Sequence, residues 1–342
     1  MIDVENVHNN NSTDVDGTGV YVAVLDTGLL PHWKDYFSED SIAKKLGAGF
    51  NNPNGNVNPG AWKGTHPHGT HVTSTVLGYM MHETPMNGVA PGAKVIPVKV
   101  LSNQGSGYSS AVTAGIMYVA NLRANSTVTE PVVINMSLGS SQPDPVELDA
   151  INYAIDNGVI VVTSAGNSGE AGMGYPGAYE EVISVGANGW TDMWIKGYTG
   201  NVTENNVAEK VYVADFSSRE LPGQHLDVLA PGDWIVGPYT VNGAAHPPRW
   251  AKQDKMGEYY FLSGTSMASP HVAGVAALML EKNPFLTQKD IEKILKETAI
   301  SIDPGTVSVV DPNGGTTYSW GSDATGSGLI QADEAVDEAA NY

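Results

Sequence analysis

Acyl transfer to water needs a nucleophile, a base to take its proton and a carboxylate to orient that base. The chain carries candidates for all three in Ser266, His68 and Asp26. It holds no cysteine, which excludes a thiol nucleophile and a disulfide framework and leaves the redox compartment open. Taken singly, each candidate also has a plain structural reading. Ser266 lies in the stretch Ser263-Gly264-Thr265-Ser266-Met267-Ala268-Ser269-Pro270-His271, where a hydroxyl at a helix start serves as an N-cap. The same place suits a nucleophile, because unpaired N–H groups and the helix dipole favour negative charge there. Asp26-Thr27-Gly28 reads equally as a turn, and His68 as a capping or core residue.

The elements that must position these residues are legible. Residues 20–25 form a β-branched apolar run that predicts a buried strand ending at Asp26. A glycine turn precedes this strand instead of following it, the wrong order for a dinucleotide fingerprint. His68-Gly69-Thr70-His71-Val72 opens a helix to about Tyr79, followed by a loop (82–88), a strand (94–100) and a helix (110–123). Short apolar strands are predicted at 132–135, 159–163, 182–185 and 226–229, with a helix over 146–157. A buried helix starts near Thr265 and stops before Pro284; residues 287–298 form an amphipathic one, capped by Thr287 with Asp290 in its first turn. Such alternation predicts an α/β fold, a three-layer sandwich whose mostly parallel central sheet carries helices on both faces. Sites in these sheets lie beyond the strands' carboxyl ends, where Asp26 and Asn167 fall.

Residues 1–16 are polar and Asn-rich and read as a loosely held arm before one domain, 17–342, whose last part, 301–342, holds seven acids and no Lys or Arg. Residues 51–60 read as a loop, and 188–214 and 237–260 as surface excursions. A net charge of −20 argues against nucleic acid and anionic membranes as partners and favours cations or a basic partner. The longest apolar runs are too short to span a bilayer, and export would need a targeting segment outside this chain.

Jointly, Val24-Leu25-Asp26-Thr27-Gly28, His68-Gly69-Thr70-His71-Val72 and Gly264-Thr265-Ser266-Met267-Ala268-Ser269-Pro270-His271-Val272-Ala273-Gly274 resemble the three signature blocks of the subtilisin-like serine proteases, in the family's order. Phe216-Ser217-Ser218-Arg219, Leu229-Ala230-Pro231-Gly232 and Gly326-Ser327-Gly328-Leu329 are family-like too. The resemblance implies a secreted serine endopeptidase acting on protein and peptide substrates, with Asp26, His68 and Ser266 as its triad. It further implies an N-terminal inhibitory propeptide that is not in this chain. Ser164-Ala165-Gly166-Asn167-Ser168-Gly169 resembles the oxyanion block, which pairs the Asn167 amide with the backbone N–H of Ser266. Ser137, Leu138, Gly139 and Ser140 resemble one wall of the pocket for the side chain before the cleaved bond, and Ser164, Ala165 and Gly166 the other. Gly105, Ser106 and Gly107 resemble the edge that pairs with substrate backbone. Ser140 replaces a common glycine, which implies a narrower pocket. Ser168 replaces an acid found in some members, which removes an attraction for basic side chains. Uncharged, apolar side chains are therefore expected before the cleaved bond, with Asp144 and Glu147 close enough to favour basic ones instead.

Calcium is an expected structural cofactor. Asp35 falls at the position of a family ligand, although His82-Glu83-Thr84-Pro85-Met86-Asn87-Gly88 lacks the usual Asn-rich partner loop. Asp14-Val15-Asp16 and Asp311-Pro312-Asn313-Gly314 are further oxygen-rich candidates. Competing readings are a zinc hydrolase built on His66, His68 and His71, a non-catalytic binding module, and a peptide ligase or cyclase. The first would want an acid where Thr70 stands. An α/β-hydrolase is excluded, because Gly264-Thr265-Ser266-Met267-Ala268 lacks the second glycine of a nucleophile elbow.

Overall fold

The computed structural model describes residues 1–342 except 3, 5–6, 8–14, 51–57, 82, 197–206, 240–257 and 312–313. The chain begins with strand β1 (Tyr21–Asp26), the short pair β2 (Ala48–Gly49) and β3 (Asn58–Pro59), and helix α1 (His68–Leu77). A hairpin, β4 (Gly78–Met81) and β5 (Thr84–Asn87), leads to β6 (Lys94–Lys99) and α2 (Ser109–Ala124). Next come β7 (Val132–Met136), α3 (Pro145–Asp156), β8 (Val159–Ser164), β9 (Ile183–Trp190) and β10 (Val211–Val213). β11 (Val228–Pro231), β12 (Ile235–Pro238) and β13 (Tyr259–Leu262) precede α4 (Thr265–Lys282) and α5 (Gln288–Glu297). A hairpin of β14 (Gly305–Val309) and β15 (Thr316–Trp320) and helix α6 (Ala332–Ala339) end the chain.

The main sheet runs β10-β9-β8-β7-β1-β6-β2-β3, with β11 parallel to β9. β1 lies between β6 and β7, parallel to both, so Asp26 ends a central strand. Its side chains alternate between two cores: Val22 and Val24 pack with α1, α4, α5 and α6, while Ala23 and Leu25 pack with α2 and α3. This is the expected three-layer α/β arrangement.

Several expectations need correction. The N-terminal arm is held where it is described: Ile2 and Val7 are buried, Ile2 O accepts from Ala332 N, and Gln331 donates to Met1 O. The rest of 1–16 lies largely outside the described residues. The helix from His68 stops at Leu77, because Gly78 takes a φ of 78° that starts a hairpin in place of the expected loop. Of the expected surface excursions, 197–206 and 240–257 lie outside the described residues, and the described ends pack against the body. Trp190 and Tyr212 are buried where β10 pairs antiparallel with β9, and Tyr259 and Tyr260 are buried in β13. Within 51–60, Asn58 and Pro59 pair with β2, while 51–57 fall outside the described residues.

Candidate active site

β1 delivers Asp26 to the end of the sheet with its side chain fully buried. Its Oδ1 accepts from Thr27 N at 2.6 Å. Thr27 Oγ1 donates to His66 O and accepts from Gly69 N, which ties the turn after β1 to the start of α1. That tie sets His68, the first residue of α1, against Asp26: Nδ1 lies 2.9 Å from both carboxylate oxygens. Burial disfavours the charged imidazolium, but the Asp26 charge and its hydrogen bond outweigh it and hold the His68 pKa above the ordinary value. Beneath the turn, Lys99 is 4 % exposed and donates to Thr27 O at 2.9 Å and Leu101 O at 2.6 Å. Lys99, inside the otherwise apolar run 95–100, was the available signal for this brace.

Ser266 sits in the first turn of α4. Pro270, four residues on, has no N–H to give to the Ser266 carbonyl. Ser137 Oγ supplies that hydrogen bond at 2.8 Å, and it also contacts Asn135 Nδ2 and Ser269 Oγ. The end of β7 thereby fixes the nucleophile's backbone. Ser266 Oγ donates to Ser137 O at 3.3 Å and makes no hydrogen bond to His68, though both side chains line one cleft. Hydrogen bonds between a nucleophile and its base commonly tighten only with substrate present.

Asn167 follows β8. Its Oδ1 accepts from Thr265 N at 2.8 Å and Thr265 Oγ1 at 2.9 Å, which identifies the oxygen side of the amide. Nδ2 makes no hydrogen bond among the described residues, and both it and Ser266 N lie close to Gly264, 3.6 Å and 3.7 Å from where a Cβ there would stand. Ser266 N, a first-turn amide, has no acceptor among the described residues. Two unpartnered donors therefore lie around Gly264, two residues before the hydroxyl.

The cleft, about 770 Å³, is lined by Ser137, Leu138, Gly139 and Ser140 on one side and Gly105, Ser106 and Gly107 on the other. The backbone groups of Gly107 and Gly139 make no hydrogen bond among the described residues and are available to an extended peptide. Ser164 and Ala165 are buried behind the cleft wall, where Ser164 Oγ donates to Leu138 O at 3.3 Å, while the half-buried Gly166 donates its N–H to Thr265 Oγ1. Tyr175, which no sequence pattern marked, lines the cleft and pairs with Ser140 through two backbone bonds of 2.8 Å. Asp144 and Glu147 line it as well, so its walls are not free of acid.

The metal readings fit poorly. Asp35 is exposed, and the segment after it packs on the β4–β5 hairpin, where Pro85 and Met86 stand in place of oxygen donors. Asp16 and Asp311 accept from hydroxyls of their own turns; Asp14, Pro312 and Asn313 lie outside the described residues. The three histidines do not converge. His66 Nδ1 accepts from His68 N, and His71 Nε2 contacts Ile235 O, with burial pushing the His71 pKa down to about 3. No group of three His, Cys, Asp or Glu among the described residues is arranged to hold a metal, and no described helix is long and apolar enough to cross a membrane.

Comparison with known proteins agrees with the geometry. A model of the subtilase family matches residues 17–335. Subtilisin Savinase of Lederbergia lenta is 33 % identical over 329 residues, covering 96 % of this chain and 94 % of that protein. Alkaline elastase YaB of Bacillus sp. (strain YaB) is 34 % identical over 320 residues, of whose length the chain spans 65 %. Among solved structures, sphericase superposes with a TM-score of 0.71 at 29 % identity, covering 96 % of each chain. With a family model matching most of its length and a parallel sheet that gathers Asp26, His68 and Ser266 around one cleft, the chain belongs to the subtilase family of serine endopeptidases.

Proposed function

We propose that the chain hydrolyses internal peptide bonds of proteins through an acyl-enzyme on Ser266. Ser266 Oγ attacks the carbonyl carbon while His68 Nε2 takes its proton. The same proton then passes to the departing amine, and water repeats the sequence on the acyl ester. Asp26 accepts from His68 Nδ1–H and so presents Nε2 as the base. Asn167 Nδ2 and Ser266 N–H receive the oxyanion. The observation that carries this reading is the pair of 2.9 Å contacts from one imidazole nitrogen to a buried carboxylate, in the cleft that holds Ser266.

The side chain before the cleaved bond is proposed to be uncharged and apolar, received against Ser137 to Ser140. Glycine edges at Gly105 to Gly107 and Gly139 hold substrate backbone, which supports broad specificity. Action outside the cell and folding with an inhibitory propeptide accompany the reading as properties implied by the resemblance. Calcium at Asp35 is not carried forward, because the neighbouring hairpin offers no matching ligands.

A serine-directed sulfonyl fluoride tests the assignment. The reading expects one covalent adduct per chain, mapped by mass spectrometry to Ser266, with loss of activity in proportion. Full inhibition with the adduct elsewhere would refute the nucleophile.

A further inference from the structure

Glu147 is the third residue of α3, whose N-cap is Asp144. A glutamate at that place ordinarily reaches back to the N-cap's own N–H and closes a capping box. Here that N–H is already taken: Asp144 N donates to Tyr179 Oη at 2.7 Å, and Tyr179 Oη donates to Asp144 O at 3.0 Å. The Asp144 carboxylate is engaged too, accepting from Val146 N at 2.9 Å. The Glu147 carboxyl is left with no hydrogen-bond donor and no cation among the described residues, although the residue is only 6 % exposed. It faces the cleft, beside Ser109, Val112, Leu138 and Asp144.

An unpaired ionised carboxyl is costly to bury, and nothing nearby offsets that cost. α3 carries no Lys or Arg. On α2 the one cation is Arg123 in the last turn, whose guanidinium is occupied by the carbonyls of Thr129 and Glu130. No Lys or Arg lines the cleft, and its histidines, His66 and His68, belong to the Ser266 end. The titratable groups that meet Glu147 from its own helix and the neighbouring segment are the Asp144 carboxylate and the Tyr179 phenol, and neither is a cation.

We propose that Glu147 is a recognition site for a basic side chain, Lys or Arg, carried by the substrate peptide several residues away from the cleaved bond. His68 and Ser266 come from helices on one face of the sheet, and Glu147 from a helix on the other. An extended peptide advances about 3.3 Å per residue, so a side chain several residues from the cleaved bond can reach the Glu147 end of the cleft. This inference rests on the peptidase reading and names a substrate class for it.

Burial first, then Asp144, pushes the Glu147 pKa up to about 7, so the site is ionised in the alkaline range and neutral in mild acid. The test is a set of internally quenched peptides with Lys exchanged for norleucine at each position from two to five on either side of the cleaved bond. At pH 8.5 the parent should show a Lys-over-norleucine ratio in kcat/KM of about tenfold at one such position, the scale of a single partly desolvated charge pair. That ratio should collapse towards one at pH 5.5 and in Glu147→Gln, and should invert in Glu147→Leu, which serves if the Gln variant folds poorly. The same ratio in parent and both variants would overturn the proposal. A parent that cleaves no peptide would instead overturn the peptidase reading beneath it.

Discussion

At the scale of single residues, the account rests on protons and donors. His68 must be neutral to accept the Ser266 proton, and the Asp26 interaction raises its pKa above the ordinary histidine value despite burial. Turnover should therefore rise with pH, with its acid limb at or above that ordinary value of about 6.5, and level off in the alkaline range. A kcat/KM profile that peaks near pH 4 and declines by neutrality would point to a carboxylate base. Asn167 supplies its Nδ2 to no acceptor among the described residues, so Asn167→Ala should lower kcat by about 10²–10³ with little change in KM, the scale known for the equivalent group in subtilisin itself. Steady-state kinetics on one peptide checks this, and a loss confined to KM would remove Asn167 from the oxyanion site. The identities of these residues were legible in three sequence blocks. What was not legible was the side on which each partner lies: Ser164 to Gly166 matched the family pattern, yet Ser164 and Ala165 are buried behind the cleft wall.

At the scale of elements, the site depends on how closely β1 and α1 approach. A Cβ on Gly69 would stand 2.5 Å from Gly28 O and 3.1 Å from Asp26 Oδ1, so any side chain there pushes the start of α1 off the end of β1. Gly69→Ala should cut kcat by about tenfold or more through misplacement of His68, while leaving far-ultraviolet circular dichroism unchanged. Wild-type turnover in that variant would show that the approach is not needed. Helix and strand positions came through from periodicity and caps, as in α5, where Thr287 and Asp290 form the expected capping box. The hairpin β4–β5 did not, because Thr84-Pro85-Met86-Asn87 is mostly exposed and a proline inside a run argues against a strand. Its pairing with Gly78 to Met81 is a tertiary outcome and not a local preference.

At the scale of the whole molecule, charge is the dominant unpaired feature. A chain at −20 repels itself in the compact state, and its described salt bridges are mostly exposed and weak. Raising sodium chloride from 10 mM to 0.5 M shortens the Debye length from about 30 Å to roughly 4 Å and should raise the unfolding midpoint by several degrees. Calorimetry at constant pH measures it, and a midpoint that falls with salt would contradict the self-repulsion argument. Composition made this charge evident. It could not show that Trp190, Tyr212 and Tyr259, set among polar residues, would be buried by antiparallel pairing between segments far apart in sequence.

The central claim is that Ser266 is the nucleophile of a peptide hydrolase. Its most direct test is mass spectrometry of the products formed from a diverse peptide mixture by the parent chain and by Ser266→Ala. The account predicts internal cuts by the parent, with new termini that carry one water per bond cleaved, and at least about a 10³-fold loss of rate in Ser266→Ala. Substantial cleavage surviving in Ser266→Ala would contradict it.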